Sequence, residues 1–216
     1  MNILVMGNGG SVVKHEFGKI IDSKFDVIFR MNRFKTEGFE KYVGSKTDAW
    51  VTVDYAVDWI INGHDECPAT TPKILDTIPY VYFFIPEFKY GHESNRISNL
   101  GFNQGKYQLI PSSIEQQINS RINFKPGWPL TGTILLQMLV NNYGDENIYV
   151  HGFDMFDNSY EFYHYYDDTD ERKKTDYFLK NNKEHDVSKD KQMMDIFFNE
   201  YDVKVLSTSI GDFTNE

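Results

Sequence analysis

The apolar run Ile3-Leu4-Val5 breaks at once into Met6-Gly7-Asn8-Gly9-Gly10-Ser11, and this junction constrains the fold more than any other stretch of the chain. A short β-rich run that ends in glycines and hands over to an amphipathic segment opens a strand–turn–helix unit of a parallel α/β sheet. Glycines let the backbone approach an anion closely, and the first amides of a helix point at it. Behind the turn, Val12, Val13, Phe17, Ile20 and Ile21 recur at helical spacing and predict one helix with one buried face. The third glycine of a dinucleotide fingerprint is missing, as is the Lys-Ser/Thr ending of a P-loop. Two readings stay open from these residues: a phosphate-holding loop, and a tight turn with no ligand.

The same alternation continues along the chain. Phe25 to Phe29 predicts a second strand with residues 30–33 at its carboxyl edge, Ala49 to Val53 a third, Tyr80 to Ile85 a fourth and Tyr107 to Ile110 a fifth. Ile114 to Arg121 reads as a short helix, and Ile134 to Val140 as a helix buried nearly all round. Asn147 to Val150 and Val203 to Leu206 are further strands, with a helix from about Asp186 to Glu200 between them. Strands separated by helical segments imply right-handed crossovers and a largely parallel sheet. Residues 87–106 read as an irregular surface excursion that shapes an acceptor pocket, and residues 155–184 as a lid or ordered loop. The expected architecture is one Rossmann-like α/β domain over residues 1–216, a mostly parallel twisted sheet flanked by helices.

Composition narrows the function. A net charge of −10 disfavours nucleic-acid binding by bulk charge. The charge is uneven: residues 1–46 carry eight Lys/Arg against five Asp/Glu, net +3, which leaves −13 for the remainder. A mildly basic first quarter beside a glycine turn suits a nucleotide, though ordinary solvated charge also accounts for it. One cysteine, Cys67, excludes an internal disulfide. With no run of 18 apolar residues and no signal pattern, the chain is expected to be cytoplasmic, with no membrane span.

Polar clusters fall at the carboxyl ends of the expected strands: Gly7 to Ser11, Asn32, and Gly152 to Asp154. The turn Thr131-Gly132 opens a helix and offers amides. In open α/β sheets these ends form the ligand crevice, and one nucleotide-sized ligand can touch all of them.

Motif by motif, the sequence resembles the sialyltransferase family of animals and plants. The family's long motif stands as Val5 to Gly10, Gly18 to Asp22, Asp26 to Asn32, Gly38 to Glu40 and Val43 to Thr47. Its short motif stands as Pro129-Leu130-Thr131-Gly132-Thr133, the apolar helix and Ile148 to Phe153. The third stands as His164-Tyr165-Tyr166-Asp167, and the last, a histidine with an acid five positions on, as His185 to Asp190. A bacterial sialyltransferase family shares the order of the loops. The resemblance implies an inverting, metal-independent glycosyltransferase that uses a cytidine-monophosphate sugar as co-substrate, with no other cofactor. Carried over by position, Gly7, Asn8, Gly9 and Asn32 would hold the nucleotide and its phosphate. Thr131, Gly132 and Thr133 would meet the donor, Gly152 and Phe153 would line the nucleoside, and Tyr165 would add a hydroxyl. His164 would hydrogen-bond the departing phosphate and His185 would be the general base.

The chemistry asks for such groups. Inverting transfer needs a base beside the acceptor hydroxyl, and an imidazole with a reference pKa near ~6.5 contributes roughly 10²–10⁴-fold in that role. A leaving phosphate must be met by hydrogen-bond donors, for which Tyr160, Tyr163, Tyr165 and Tyr166 surround His164. His15, His64 and His92 are expected at the surface, and His151 is open between structure and site. Asp168-Thr169-Asp170 resembles an acid-x-acid metal site but sits in a charge run and reads as solvated, so no metal ligand is assigned.

Two departures bear on the donor. Leu130 stands where the family has a serine, and no arginine lies near Trp128, where the bacterial relatives place one. Both groups would meet the carboxylate of a sialic-type sugar, and a buried carboxylate without a partner is costly. A neutral sugar, another acidic sugar, or Arg33 as an alternative partner stay open. A sialic-acid-like sugar passed to a glycan is the first expectation, in a minimal bacterial, viral or phage form. The alternative is a phage enzyme that transfers a neutral sugar such as arabinose to hydroxymethylated cytosine in DNA. A non-catalytic nucleotide-sugar-binding module is a third.

Overall fold

The computed structural model describes residues 1–53, 77–85, 107–144, 146–181 and 185–214. The expected excursion at 87–106, together with Cys67, His64 and His92, lies outside the described residues. The strands are β1 (Asn2–Met6), β2 (Val27–Met31), β3 (Ala49–Val53), β4 (Tyr80–Phe84), β5 (Tyr107–Leu109), β6 (Asn147–His151) and β7 (Lys204–Val205). They form a parallel sheet in the order β5-β4-β3-β2-β1-β6-β7. The chain builds outward from β1 to β5 and then returns to lay β6 on the other side of β1. That reversal leaves a crevice beyond the carboxyl ends of β1 and β6.

Alternation along the strands builds two layers of core. Ile3 and Val5 face one side, with Phe29, Val51, Ile148 and Val150. They pack under α3 (Ser112–Arg121), α4 (Thr131–Tyr143) and α6 (Val187–Glu200). Leu4 and Met6 face the other side, against Ile21 of α1 (Gly18–Lys24), Val43 of α2 (Glu40–Val43) and Phe213 of α7 (Gly211–Thr214). In α4 every residue from Thr131 to Val140 is buried, Gln137 included, which contains the run from Ile134 to Val140 expected to be buried nearly all round. Among the described residues, no helix is long and apolar enough to cross a membrane.

The elements depart from expectation in two places. The segment behind the glycine turn is not one helix: a 3₁₀ turn, Gly10–Lys14, ends at His15 in extended backbone before α1 begins. Val12 and Ile21 are buried but Val13 is exposed, because the break rotates the apolar stripe. The second departure is α5 (Thr169–Asn181), which occupies much of the expected lid. Asp168 caps α5, its side chain accepting from the Asp170 and Glu171 amides at 2.9 Å. The pairs Lys173–Asp170 and Lys174–Glu171 line its outer face. No α5 residue is fully buried; besides its cap and surface pairs, Arg172 donates to the Tyr160 and Glu161 carbonyls and Asp176 accepts from the Tyr163 hydroxyl, polar ties that an apolar periodicity cannot reveal.

Candidate active site

The glycine turn continues the β1/β6 ladder beyond the strands. The Gly7 amide donates to the His151 carbonyl at 2.7 Å, and the Gly9 amide to the Gly152 carbonyl at 2.9 Å. A Cβ on Gly7 would lie 2.2 Å from the Gly152 carbonyl oxygen, while Gly152 itself has φ +75°. These glycines let two backbones touch. The amide beyond them already meets an internal anion: the Asp154 carboxylate accepts from the Ser11 amide at 2.7 Å and from the Ser11 hydroxyl. The Ser11 amide is thus occupied by Asp154, while Gly7, Asn8 and Gly9 line the cleft.

Two asparagines meet across the next gap. Asn8 donates its side-chain amide to the carbonyls of Met31 (3.2 Å) and Arg33 (2.6 Å), which leaves its oxygen as the acceptor. Asn32, in the left-handed region at φ +49°, is exposed. Its oxygen accepts from the hydroxyls of Thr52 (3.2 Å) and Thr131 (3.3 Å), leaving its NH₂ as a donor. Tyr165 departs from the role expected of it. Its hydroxyl donates to the Lys35 carbonyl and accepts from the Lys35 amide (2.9 Å), so the buried ring braces the loop after β2 instead of lining the cleft. Tyr166 does the same to the Arg33 carbonyl at 2.9 Å. The Arg33 side chain is half-buried and does not line the cleft. Arg30, at the end of β2, is buried and spends its guanidinium on the carbonyls of Val43, Gly44 and Lys46 and the Thr47 hydroxyl, with burial lowering its pKa to about 10.

The start of α4 also lines the cleft. Its N-cap, Leu130, has no side chain able to bond the first amides, and residues 130–133 line the opening. Thirteen residues of helix behind those amides give the anion-favouring end of a macrodipole. A Cβ on Gly132 would sit 2.8 Å from Cε1 of Phe153, so the glycine lets that ring lie against the helix end as an apolar wall. The Thr133 hydroxyl is committed elsewhere: it is fully buried and donates to Oδ1 of Asp190 at 2.6 Å. Asp190 also accepts from the Leu130 amide at 3.0 Å and so ties the start of α6 to the start of α4. Burial pushes its carboxyl up to about 7, against the opposing pull of the bonds from Thr133 and Leu130.

The two histidines arrive from different elements. His164 pairs with Gly9 in an antiparallel bridge, and the Tyr165 amide donates to the Asn8 carbonyl at 3.0 Å, so the tyrosine-rich strap lies along the glycine turn. Its Nδ1 bonds Asp167 at 2.9 Å, which fixes the ring and directs Nε2 away from that carboxylate. His185, just ahead of α6, bonds the Trp128 carbonyl through Nδ1 at 3.2 Å. A carbonyl only accepts, so Nδ1 carries the proton and the lone pair lies on Nε2, the tautomer a proton acceptor requires. Both imidazoles line one cleft of about 170 Å³ with Asn8, Asn32, Thr131, Gly132, Gly152 and Phe153.

His151 resolves to structure: it is buried against Phe17, and burial drops its pKa to about 4, so it stays neutral. His15 is exposed, as expected. Among the described residues no group of three or more His, Cys, Asp or Glu side chains gathers to hold a metal ion. The local sequence did not single out Asp154 as the anchor of the turn, nor Met155 and Phe156, whose φ values of +49° and +53° are left-handed for non-glycine residues. The acid directly after Gly152-Phe153 was the one available signal for Asp154.

Residues 3–66 match the model of glycosyltransferase family 29 (sialyltransferase). The chain is 44% identical over 48 residues to beta-1,6-galactosyltransferase GALT29A of Arabidopsis thaliana, and 41% identical over 49 residues to CMP-N-acetylneuraminate-beta-1,4-galactoside alpha-2,3-sialyltransferase of Rattus norvegicus. Those segments are 22% and 23% of this chain and only 12% and 13% of the relatives' own lengths. The crystal structure of a mammalian sialyltransferase superposes with a TM-score of 0.60 at 16% identity, covering 94% of this chain and 68% of that one. A complex of a mammalian sialyltransferase with Gal-beta-1-3GalNAc-ortho-nitrophenol gives 0.58, also at 16% identity, over 94% and 68%. The fold is thus the sialyltransferase fold, and the first third of the chain carries that family's sequence signature.

Proposed function

We propose that this chain is an inverting, metal-independent glycosyltransferase that moves a sialic-acid-like sugar from a cytidine-monophosphate donor to an acceptor hydroxyl. The observation that carries the reading is the convergence of His164, His185, Asn8, Asn32 and the uncapped amides of α4 on one cleft. The nucleotide lies between the asparagines and Phe153, and its phosphate faces the α4 amides and His164. His185 takes the acceptor proton on Nε2 as the acceptor oxygen attacks the anomeric carbon from the face opposite the phosphate. The bond from that carbon to the phosphate oxygen breaks, and the departing charge falls on donors already in place. A proton on Nε2 of His164 makes that ring an imidazolium whose charge Asp167 balances.

The names of the relatives support a glycoside acceptor: one names a beta-1,4-galactoside, and the complex holds a disaccharide derivative. Thermal-shift measurements against cytidine monophosphate and uridine diphosphate test the donor. Cytidine monophosphate alone should raise the Tm, whereas a shift with uridine diphosphate alone overturns the proposed donor. His185→Ala should lose at least about 100-fold in transfer while its cytidine monophosphate affinity stays within threefold of wild type. Transfer at the wild-type rate would refute the assignment of the base.

A further inference from the structure

The cleft is poor in positive charge. Among the described residues that line it there is no lysine or arginine, and what meets an anion there is the uncapped start of α4, the Asn32 side chain and two imidazoles. The one carboxylate among those residues is Asp154, just outside the short motif that ends at Phe153. This acid is held in place from two sides. One oxygen accepts from the Ser11 amide at 2.7 Å and the other from the Ser11 hydroxyl, and a Cβ on Gly9 would lie 2.4 Å from its Cγ, so the glycine turn is shaped around it. Its backbone heads a tight turn: the Asp157 amide donates to the Asp154 carbonyl at 3.0 Å, and Met155 and Phe156 between them hold left-handed backbone. Non-glycine residues keep that conformation where the surrounding structure enforces it, and such strain gathers at ligand clamps. Gly9 in turn pairs with His164, the ring proposed to meet the phosphate. A fixed negative charge thus stands on the same glycine turn as His164.

We propose that Asp154 is a specificity-determining residue that limits this cleft to donors with a single phosphate and rejects nucleoside diphosphates by charge. The proposal rests on the nucleotide-sugar reading of the cleft. One phosphate is compensated by the start of α4 and by His164. A second phosphate adds a negative charge for which the lining holds no further cation, while Asp154 stands against it. In a cleft of low effective dielectric, two like charges repel several-fold more strongly than in bulk water. The acid does not swing aside to relieve that repulsion, because both oxygens are bonded to Ser11 and its backbone is pinned by the turn behind it. Selective sites are commonly built this way, with a repulsive element set against the wrong ligand as well as contacts made to the right one.

Calorimetric titration of the full chain with cytidine monophosphate and cytidine diphosphate tests the assignment, because the two share a nucleoside and differ by one phosphate. Wild type should bind the monophosphate at least about tenfold more tightly, and that preference should shrink at least about threefold between ~50 mM and ~500 mM salt as screening weakens the repulsion. Asp154→Asn removes the charge yet keeps an oxygen that accepts from the Ser11 amide. In that variant the preference should fall at least about fivefold from wild type, through tighter binding of the diphosphate. Equal wild-type affinities, or a preference that salt leaves unchanged, overturn the proposal without recourse to any variant. So does an Asp154→Asn protein that binds the monophosphate and keeps the wild-type preference. A wild type that binds neither nucleotide refutes the donor reading itself and the proposal with it, a failure told apart from the others by the missing monophosphate signal.

Discussion

Replacement of Asp190 by asparagine should remove a specific slope from the pH dependence of stability. The carboxyl lies at 0% exposure, with Oδ1 bonded to the Leu130 amide and the Thr133 hydroxyl and no hydrogen-bond partner at Oδ2. Its pKa rises from 3.8 to about 7, chiefly through burial, with Asp186 adding to the rise. A group whose folded pKa exceeds its unfolded value favours the fold below the unfolded value, and that advantage is lost as pH rises through the folded one. At 1.36 kcal/mol per pKa unit, the loss is about 4 kcal/mol in full, with about 3 kcal/mol of it between pH 5 and pH 8. His151 acts in the opposite sense. Its pKa falls from 6.5 to about 4, so stability is lost as pH drops through that window, and the wild-type curve alone mixes the two. Urea unfolding of wild type and Asp190→Asn at each pH separates them, since His151 is common to both. The amide NH₂ placed where Oδ2 stood costs a constant amount, so the diagnostic is the change with pH. The variant should gain on wild type by about 3 kcal/mol from pH 5 to pH 8. A difference that stays flat refutes an ionising, buried Asp190.

Two other substitutions probe the scaffold. Gly152→Ala forces a side chain onto φ +75° and sets its Cβ 2.6 Å from Cγ1 of Val12 and 2.8 Å from the Gly7 carbonyl oxygen. Strain plus overpacking should cost about 3 kcal/mol, read as a Tm loss of roughly 6–12 °C. Gly38→Ala, at φ +79° with nothing within 4 Å, carries strain alone and should lose less than half as much; equal losses would show that close approach is not what Gly152 serves. Tyr165→Phe removes both bonds to Lys35 and should cost about 1–3 kcal/mol in chemical unfolding. Its cytidine monophosphate affinity should hold within threefold, because the ring braces the loop from beneath; a tenfold loss would return Tyr165 to the donor site.

Local pattern carried much of the architecture. The runs at Ile3, Phe29, Ala49, Tyr80 and Ile148 are dense in β-branched, aromatic and aliphatic residues and bounded by polar punctuation, and each lies in a strand of the parallel sheet. The apolar run from Ile134 was legible as buried for the same reason: water exclusion acts on composition, and composition is local. The two histidines and both asparagines were legible by resemblance, and they do share a cleft. What spacing could not convey was who partners whom. The glycine turn has the sequence of an anion loop, yet the anion that reaches it is Asp154, 143 positions away along the chain. The Thr133 hydroxyl, nominated for the donor, faces a carboxylate 57 positions on. Tyr165, nominated beside it, braces Lys35 from 130 positions away. Helical and strand periodicities describe which side of an element turns inward, and that is decided within a few residues. Which donor satisfies which acceptor is decided only when the return of β6 against β1 closes the crevice and the buried polar groups must find partners in what the packing brings within 3 Å.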